Sequence, residues 1–212
     1  MTRDFLQETD CFLFDLDGTL VDSAPLHDQA YRHVLETERA DLLAGFDYGA
    51  VAGLTTQTAF RRIGAAEDEV ARLTALKQAH YRALLGGLSE MPGAAALLTA
   101  LRARGAKVGI VTAASRASAL KALDVTGLER HVMTVIAAED TAAAKPAAAP
   151  FLMAAEMLKT DVAHAVAVED APSGIIGAGA AGLKTIGVHN EAIRNMVNRY
   201  FADLTAFAEA LP

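Results

Sequence analysis

The run Cys11-Phe12-Leu13-Phe14-Asp15-Leu16-Asp17-Gly18-Thr19-Leu20-Val21-Asp22-Ser23 decides the fold. Four apolar residues end abruptly in two acids spaced i, i+2, and Gly-Thr follows. A short, aromatic, uninterrupted apolar run is the pattern of a strand buried on both faces of a parallel sheet. Asp15 then stands at the carboxyl end of that strand, where open α/β sheets place their ligands. In extended backbone, residues i and i+2 point the same way, so Asp15 and Asp17 are expected to face one small volume. Like charges that close repel, and each is costly to desolvate. A divalent cation, or a proton on one of them, resolves the conflict. Gly18 permits a sharp turn whose backbone N–H groups face an anion. Two solvated turn acids would be the plainer reading of a bare D-x-D, but this longer string makes that reading weak.

Beyond the motif the pattern changes from strand to helix. Asp22 or Ser23 is placed to cap a helix, with Pro25 in its first turn, and Leu26, Ala30, Val34 and Leu35 recur at helical spacing. Thr55 or Thr56 begins a short helix over 57–63. A longer helix over 67–85, with Val70, Leu73, Leu76, His80 and Leu84 on one side, is stopped by Gly86-Gly87. Residues 24–88 therefore read as all-helical. From Met91-Pro92-Gly93 onward, helices over 94–104, 115–123, 150–159 and 173–181 alternate with strands over 107–112, 132–137, 165–168 and 184–188. The tail from Asn190 reads as two short helical pieces with an edge strand near Tyr200. This alternation predicts an α/β fold, a doubly wound parallel sheet. Two parallel strands ordinarily need one helical crossover. The several helices after the first strand therefore read as an inserted small all-helical domain at 24–88, in a core made of 1–23 and 89–212.

The bulk properties exclude several classes of function. The chain has 212 residues, a formal charge of −7 and 52% hydrophobic residues, enough for a proper core and too apolar for disorder. The acidic balance argues against a nucleic-acid partner, which requires a basic surface. An acidic protein that handles anions needs local positive charge, from a metal or from a few placed lysines and arginines. The single cysteine, Cys11, has no internal disulfide partner and sits in the apolar strand as a small core residue. Arg3 is followed by acids and the apolar run at 12–14 is too short for a leader. No uncharged stretch reaches membrane-spanning length. A cytoplasmic protein with no membrane partner, monomeric by default, is expected.

The remaining polar signals fall at strand ends. Thr112 ends the second strand, Lys145-Pro146 follows the third, and Glu169-Asp170 ends the fourth just before Ser173-Gly174 opens a helix. In a parallel sheet these ends share one edge. Each has an ordinary explanation alone: a strand-end hydroxyl, a loop lysine, a pair of capping acids. Together they place two acids, a hydroxyl, a lysine and a second acidic pair around one crevice. That set suits transfer of a phosphoryl group from a monoester to a carboxylate, with a hard divalent cation balancing charge. The string Gly177-Ala178-Gly179-Ala180-Ala181-Gly182 matches G-x-G-x-x-G. It runs from a helix into a strand, the reverse of a dinucleotide fingerprint, and reads as helix packing and a helix stop.

In this order the signals D-L-D-G-T, strand-end Thr, K-P and V-E-D-A-P-S-G-I resemble the four motifs of the haloacid dehalogenase superfamily, including a helical cap inserted after the first. Val168–Gly187 resembles the branch that holds β-phosphoglucomutase and phosphoglycolate phosphatase. The resemblance implies the following roles. Asp15 attacks phosphorus and becomes an aspartyl phosphate. Asp17 protonates the leaving oxygen and then activates water. Thr112, Lys145 and the backbone N–H groups of Leu16, Asp17 and Ala113 hold the phosphoryl group. Mg²⁺ is bound by Asp15, Asp170 and the main-chain carbonyl of Asp17, with Glu169 in support. The implied activity is a Mg²⁺-dependent phosphatase for a small phosphorylated metabolite. A β-phosphoglucomutase-type phosphomutase is the alternative, and a non-catalytic phosphate-binding relic a remoter one. The cap is expected to select the substrate by closing over the crevice, with His27, Thr56 and Arg61 as candidates. His27 reads equally as a plain surface helix residue, and for Arg61 a surface charge is the safer reading. Two departures stand out. Ala113 supplies no side-chain donor after Thr112. Ala149 stands where relatives carry an Asp after the K-P, which removes an expected helix cap or loop anchor.

Overall fold

The computed structural model describes residues 4–212, so the leader reading at Arg3 lies outside the described residues. The strands are β1 (Cys11–Phe14), β2 (Val21–Asp22), β3 (Ser89–Glu90), β4 (Lys107–Val111), β5 (Thr134–Ile136), β6 (Ala165–Glu169), β7 (Lys184–Val188) and β8 (Arg199–Phe201). The α-helices are α1 (Ala24–Glu38), α2 (Ala40–Leu43), α3 (Thr56–Ile63), α4 (Glu67–Leu84), α5 (Ala94–Ala103), α6 (Arg116–Thr126), α7 (Ala149–Met157), α8 (Pro172–Ala180) and α9 (Leu204–Glu209). The chain forms two compact units, one of residues up to Asp22 with Ser89–Pro212, the other Ser23–Leu88.

In the first unit six strands form one sheet in the order β5-β4-β1-β6-β7-β8, every pairing parallel. β1 lies inside it, with Phe12 registered against Val108 and Val166. All four of its residues are buried because helices cover both faces. Strand side chains alternate between faces. Cys11 and Leu13 join Phe151 and Ala154 of α7 and Ala178 of α8, whereas the Phe12 ring lies 6.2 Å from Phe207 of α9. Burial raises the Cys11 thiol pKa to about 11, which suits its reading as an inert core residue.

β2 and β3 make a separate antiparallel ribbon, Val21 opposite Glu90 and Asp22 opposite Ser89. Through it the chain leaves the first unit and returns. Neither this ribbon nor α2 was legible in the sequence, since two and four residues carry no periodicity.

The second unit is built from α1 to α4 around Tyr31, Leu35, Phe46, Phe60, Val70 and Leu73. One expectation is corrected here. The buried side of α4 is Val70, Leu73, Thr74, Lys77 and Tyr81, and Leu76 is 38% exposed. The stripe turns towards Lys77 because its neighbours suit a cation. The ammonium sits 4.7 Å from the Tyr31 ring centre and 4.9 Å from that of Tyr81, a cation–π arrangement.

Candidate active site

The carboxyl edge of the sheet is built by the ends of β1, β4, β6 and β7. β1 delivers Asp15, whose N–H donates to the Val168 carbonyl of β6 at 2.9 Å. The chain then turns on itself: the N–H groups of Leu20 and Val21 donate to the Leu16 carbonyl at 2.9 and 3.0 Å. Gly18 takes φ of 83°, in the left-handed region open to glycine. A Cβ at Gly18 would also lie 2.4 Å from Asp170 Oδ2. The motif glycine thus lets the turn pass directly over Asp170, the acid that follows β6. Thr19, fully buried, donates its Oγ1–H to Asp170 Oδ1 at 3.0 Å.

Lys145 enters from the loop after β5. Its Nζ donates to Asp15 Oδ1 and to Glu169 Oε1, both at 2.6 Å, and lies 5.4 Å from the ring centre of buried Phe151. Glu169 ends β6 and is 1% exposed. It fits because α8 places Gly174 against it: a Cβ there would lie 2.0 Å from the Glu169 Cδ. Gly177, from the G-x-G-x-x-G string, does the same for the lysine loop, since a Cβ there would lie 2.9 Å from the Ala147 carbonyl. α7 begins at Ala149 with no side-chain cap. The double ion pair of Lys145 and the close approach of α8 hold this loop where the cap is missing.

The electrostatics follow from burial of like charges. Burial raises the pKa of Asp15 and outweighs the opposing charge of Lys145. It raises Glu169 well above the ordinary carboxylate value. Asp170 is pushed up to about 7, by burial first and by the Asp15 charge next. Burial pulls the Lys145 ammonium towards neutrality, but the charges of Asp15 and Glu169 outweigh it and hold its pKa above the usual lysine range. Ligand oxygens of Asp15, Glu169 and Asp170 lie within 4.8 Å of one another. Three carboxylates against one ammonium leave excess negative charge, and an all-oxygen donor set suits a hard divalent cation. These residues fit such an ion.

The other candidates are placed as follows. Asp17 is half-buried and its charge raises Asp15, but its carboxylate is not among the three clustered ligand groups. The Leu16 N–H lies near the Asp15 carboxylate. Thr112 is buried at the end of β4 and its Oγ1 accepts the Ala114 N–H at 3.0 Å, with Ala113 exposed between them. His27, Thr56 and Arg61 belong to the helical unit. His27 stacks on Tyr81, ring centres 4.0 Å apart, and its Nδ1 meets the Lys77 ammonium. Thr56 lies close to the Tyr31 hydroxyl. The Arg61 guanidinium, at an exposed position, is taken in bidentate fashion by Glu67, at 2.8 and 2.6 Å. Sequence reasoning missed two participants at the acid edge, Thr19 and the pair His189-Asn190. Both lay beside recognised signals, Thr19 inside the first motif and His189-Asn190 at the carboxyl end of a strand.

Known proteins resemble this chain in sequence and in fold. The family model for haloacid dehalogenase-like hydrolases matches residues 12–188. A phosphoglycolate phosphatase of Rhodospirillum rubrum is 35% identical over 188 residues, covering 82% of this chain and 77% of its own. Hexitol phosphatase A of Escherichia coli is 36% identical over 187 residues, 85% of this chain and 83% of its own. The crystal structure of a β-phosphoglucomutase from Clostridium difficile superposes with a TM-score of 0.78 at 23% identity, covering 92% of each chain. With the family match spanning the acid edge from β1 to β7, the chain belongs to the haloacid dehalogenase-like hydrolase family.

Proposed function

We propose that the protein is a Mg²⁺-dependent phosphatase that hydrolyses a small phosphomonoester, a sugar phosphate or similar metabolite, through an aspartyl phosphate on Asp15. The observation that carries this reading is the buried Lys145 ammonium bonded at 2.6 Å to both Asp15 and Glu169. It favours the ionised nucleophile against the opposing effect of burial and offers positive charge to an incoming phosphate. The two relatives named as phosphatases support the same chemistry.

In this reading a carboxylate oxygen of Asp15 attacks phosphorus and the bond to the ester oxygen breaks. Asp17 gives its proton to that oxygen, then takes a proton from the water that attacks the aspartyl phosphate. The phosphorus–Asp15 bond breaks, phosphate leaves and Asp15 is restored. Thr112 Oγ1, the N–H groups of Leu16 and Ala113, and Lys145 hold the phosphoryl oxygens. Asp15 and Asp170, with the Asp17 carbonyl and with Glu169 in support, would hold Mg²⁺, which supplies charge neutralisation for the transferring group. We assign the choice of ester to the helical unit, with His27 and Thr56 as its polar candidates. His27, held by Tyr81 and Lys77, keeps a sugar phosphomutase as the second reading.

Phosphate release from an aryl phosphate and from a panel of sugar and short-chain phosphates tests the proposal. Turnover is expected with Mg²⁺, and its loss with EDTA or in Asp15→Asn. No release from any ester overturns the phosphatase reading. Interconversion of hexose phosphates without net release would favour the mutase.

A further inference from the structure

The turn after β7 has no part in the reading above. The Asn190 N–H donates to the Val188 carbonyl at 2.7 Å, around His189 with φ of 63°. A bond from residue i+2 back to i across a positive φ is the rare, strained hand of γ-turn. Non-glycine residues persist in such conformations where the surroundings over-determine them, and they cluster at functional sites. Glycine would adopt this turn without strain, yet histidine occupies it.

Both side chains of the turn reach the acid edge. His189 Nε2 lies 3.2 Å from the Thr19 carbonyl. A carbonyl only accepts, so the imidazole carries a proton on Nε2. Thr19 passes the contact on, its Oγ1–H donating to Asp170 Oδ1 at 3.0 Å. Asn190 Nδ2 donates to the Asp170 main-chain carbonyl at 2.9 Å. Its Oδ1 accepts the Ala192 N–H at 3.1 Å, which fixes the orientation of the amide. One turn therefore grips Asp170 twice, at its backbone directly and at its carboxylate through Thr19. The acid so gripped has one face closed by Gly18, at a spacing that admits no Cβ.

We infer that the His189-Asn190 turn positions Asp170 and thereby sets the affinity of the acid edge for its divalent cation. Outer partners that orient a metal-binding carboxylate commonly change metal affinity by about 10–100-fold when removed. The inference rests on the metal reading under Proposed function. It adds two residues that lie beyond the 12–188 match to the family.

Calorimetric titration of Mg²⁺ into the wild type, Asn190→Ala and His189→Gly tests it, with thermal melts of the same proteins in EDTA. Asn190→Ala is expected to bind Mg²⁺ about 10-fold more weakly. His189→Gly is expected to bind several-fold more weakly while its melting temperature in EDTA holds or rises, because glycine relieves the positive φ. A purely structural role predicts the reverse pattern for His189→Gly, unchanged affinity with a lowered melting temperature. In phosphate release the loss should appear in the Mg²⁺ concentration for half-maximal rate, with kcat recovered at saturating Mg²⁺. Wild-type affinity in His189→Gly overturns the inference, whether or not Asn190→Ala folds. A wild type that binds no Mg²⁺ overturns the metal reading and this inference together. Binding by the wild type with unchanged variants overturns this inference alone.

Discussion

Lys145 decides the charge balance of the site. Among the described residues it is the single cation hydrogen-bonded to two buried acids, with its own side chain 5% exposed. Removing one partner of a buried ion pair costs about 3–5 kcal/mol, because the other charge is left uncompensated. Here the loss depends on pH. The pKa values of Asp15 and Glu169 are already raised by burial, so at low pH both can take a proton in place of the ammonium. Lys145→Met is therefore expected to melt well below the wild type at pH 8 in EDTA and closer to it at pH 5. Paired thermal melts check this. Phosphate release by the same variant should fall by about 10²–10³, the usual cost of deleting a buried donor to a developing charge.

At the level of the element, α8 shows how spacing rather than chemistry builds the site. Its first turn approaches β6 closely enough that Gly174 leaves room for the Glu169 carboxylate and for nothing more. Gly174→Ala would press a methyl against that carboxylate, and overpacking of this kind costs about 1–3 kcal/mol. Gly179 lies in the same helix, and a methyl there would meet nothing within 4 Å. Gly179→Ala should therefore stabilise by about 0.5–1 kcal/mol through helix propensity. Denaturant unfolding of the pair gives the comparison. Opposite signs are expected, with Gly174→Ala also losing phosphate release and Gly179→Ala keeping it. Equal effects would mean that α8 has room to move away from Glu169.

At the scale of the whole molecule, burying three carboxylates at one edge makes stability without metal depend on pH. Asp170 has its pKa raised from the ordinary value of 3.8 to about 7. An acid held above its unfolded pKa contributes stability that is complete below the unfolded value and is lost as pH rises through the folded one. The metal-free protein should therefore weaken, through this group, between about pH 4 and pH 7. Three histidines pull the other way: burial lowers His80, His131 and His189 below the ordinary 6.5, so they favour folding as pH rises. Asp170→Asn separates the two effects, because the histidines are common to both proteins. In EDTA the variant should melt near the wild type at pH 5 and above it at pH 8. Mg²⁺ should raise the wild type at pH 8 and leave Asp170→Asn little changed.

Much of this protein was legible from local signals alone. An apolar run of four, an i, i+2 pair of acids and a glycine specify a buried strand and a turn, since burial pattern and φ preference act within a few residues. Alternating strand and helix patterns carried the parallel sheet, and strand ends carried Asp15, Thr112, Glu169 and Asp170 to one edge, with Lys145 reaching it from the loop after β5. What only the tertiary structure decided lies at long range. The buried face of α4 depended on rings contributed by another helix, which made room for Lys77 where the pattern favoured Leu76. The bond from Thr19 to Asp170 joins residues 151 apart in the chain and that from His189 to Thr19 joins residues 170 apart. No periodicity encodes such pairs. They exist because the strand order β4-β1-β6-β7 brings the ends of distant strands within hydrogen-bonding reach, where burial converts proximity into shifted pKa values and three carboxylates come within 4.8 Å of one another.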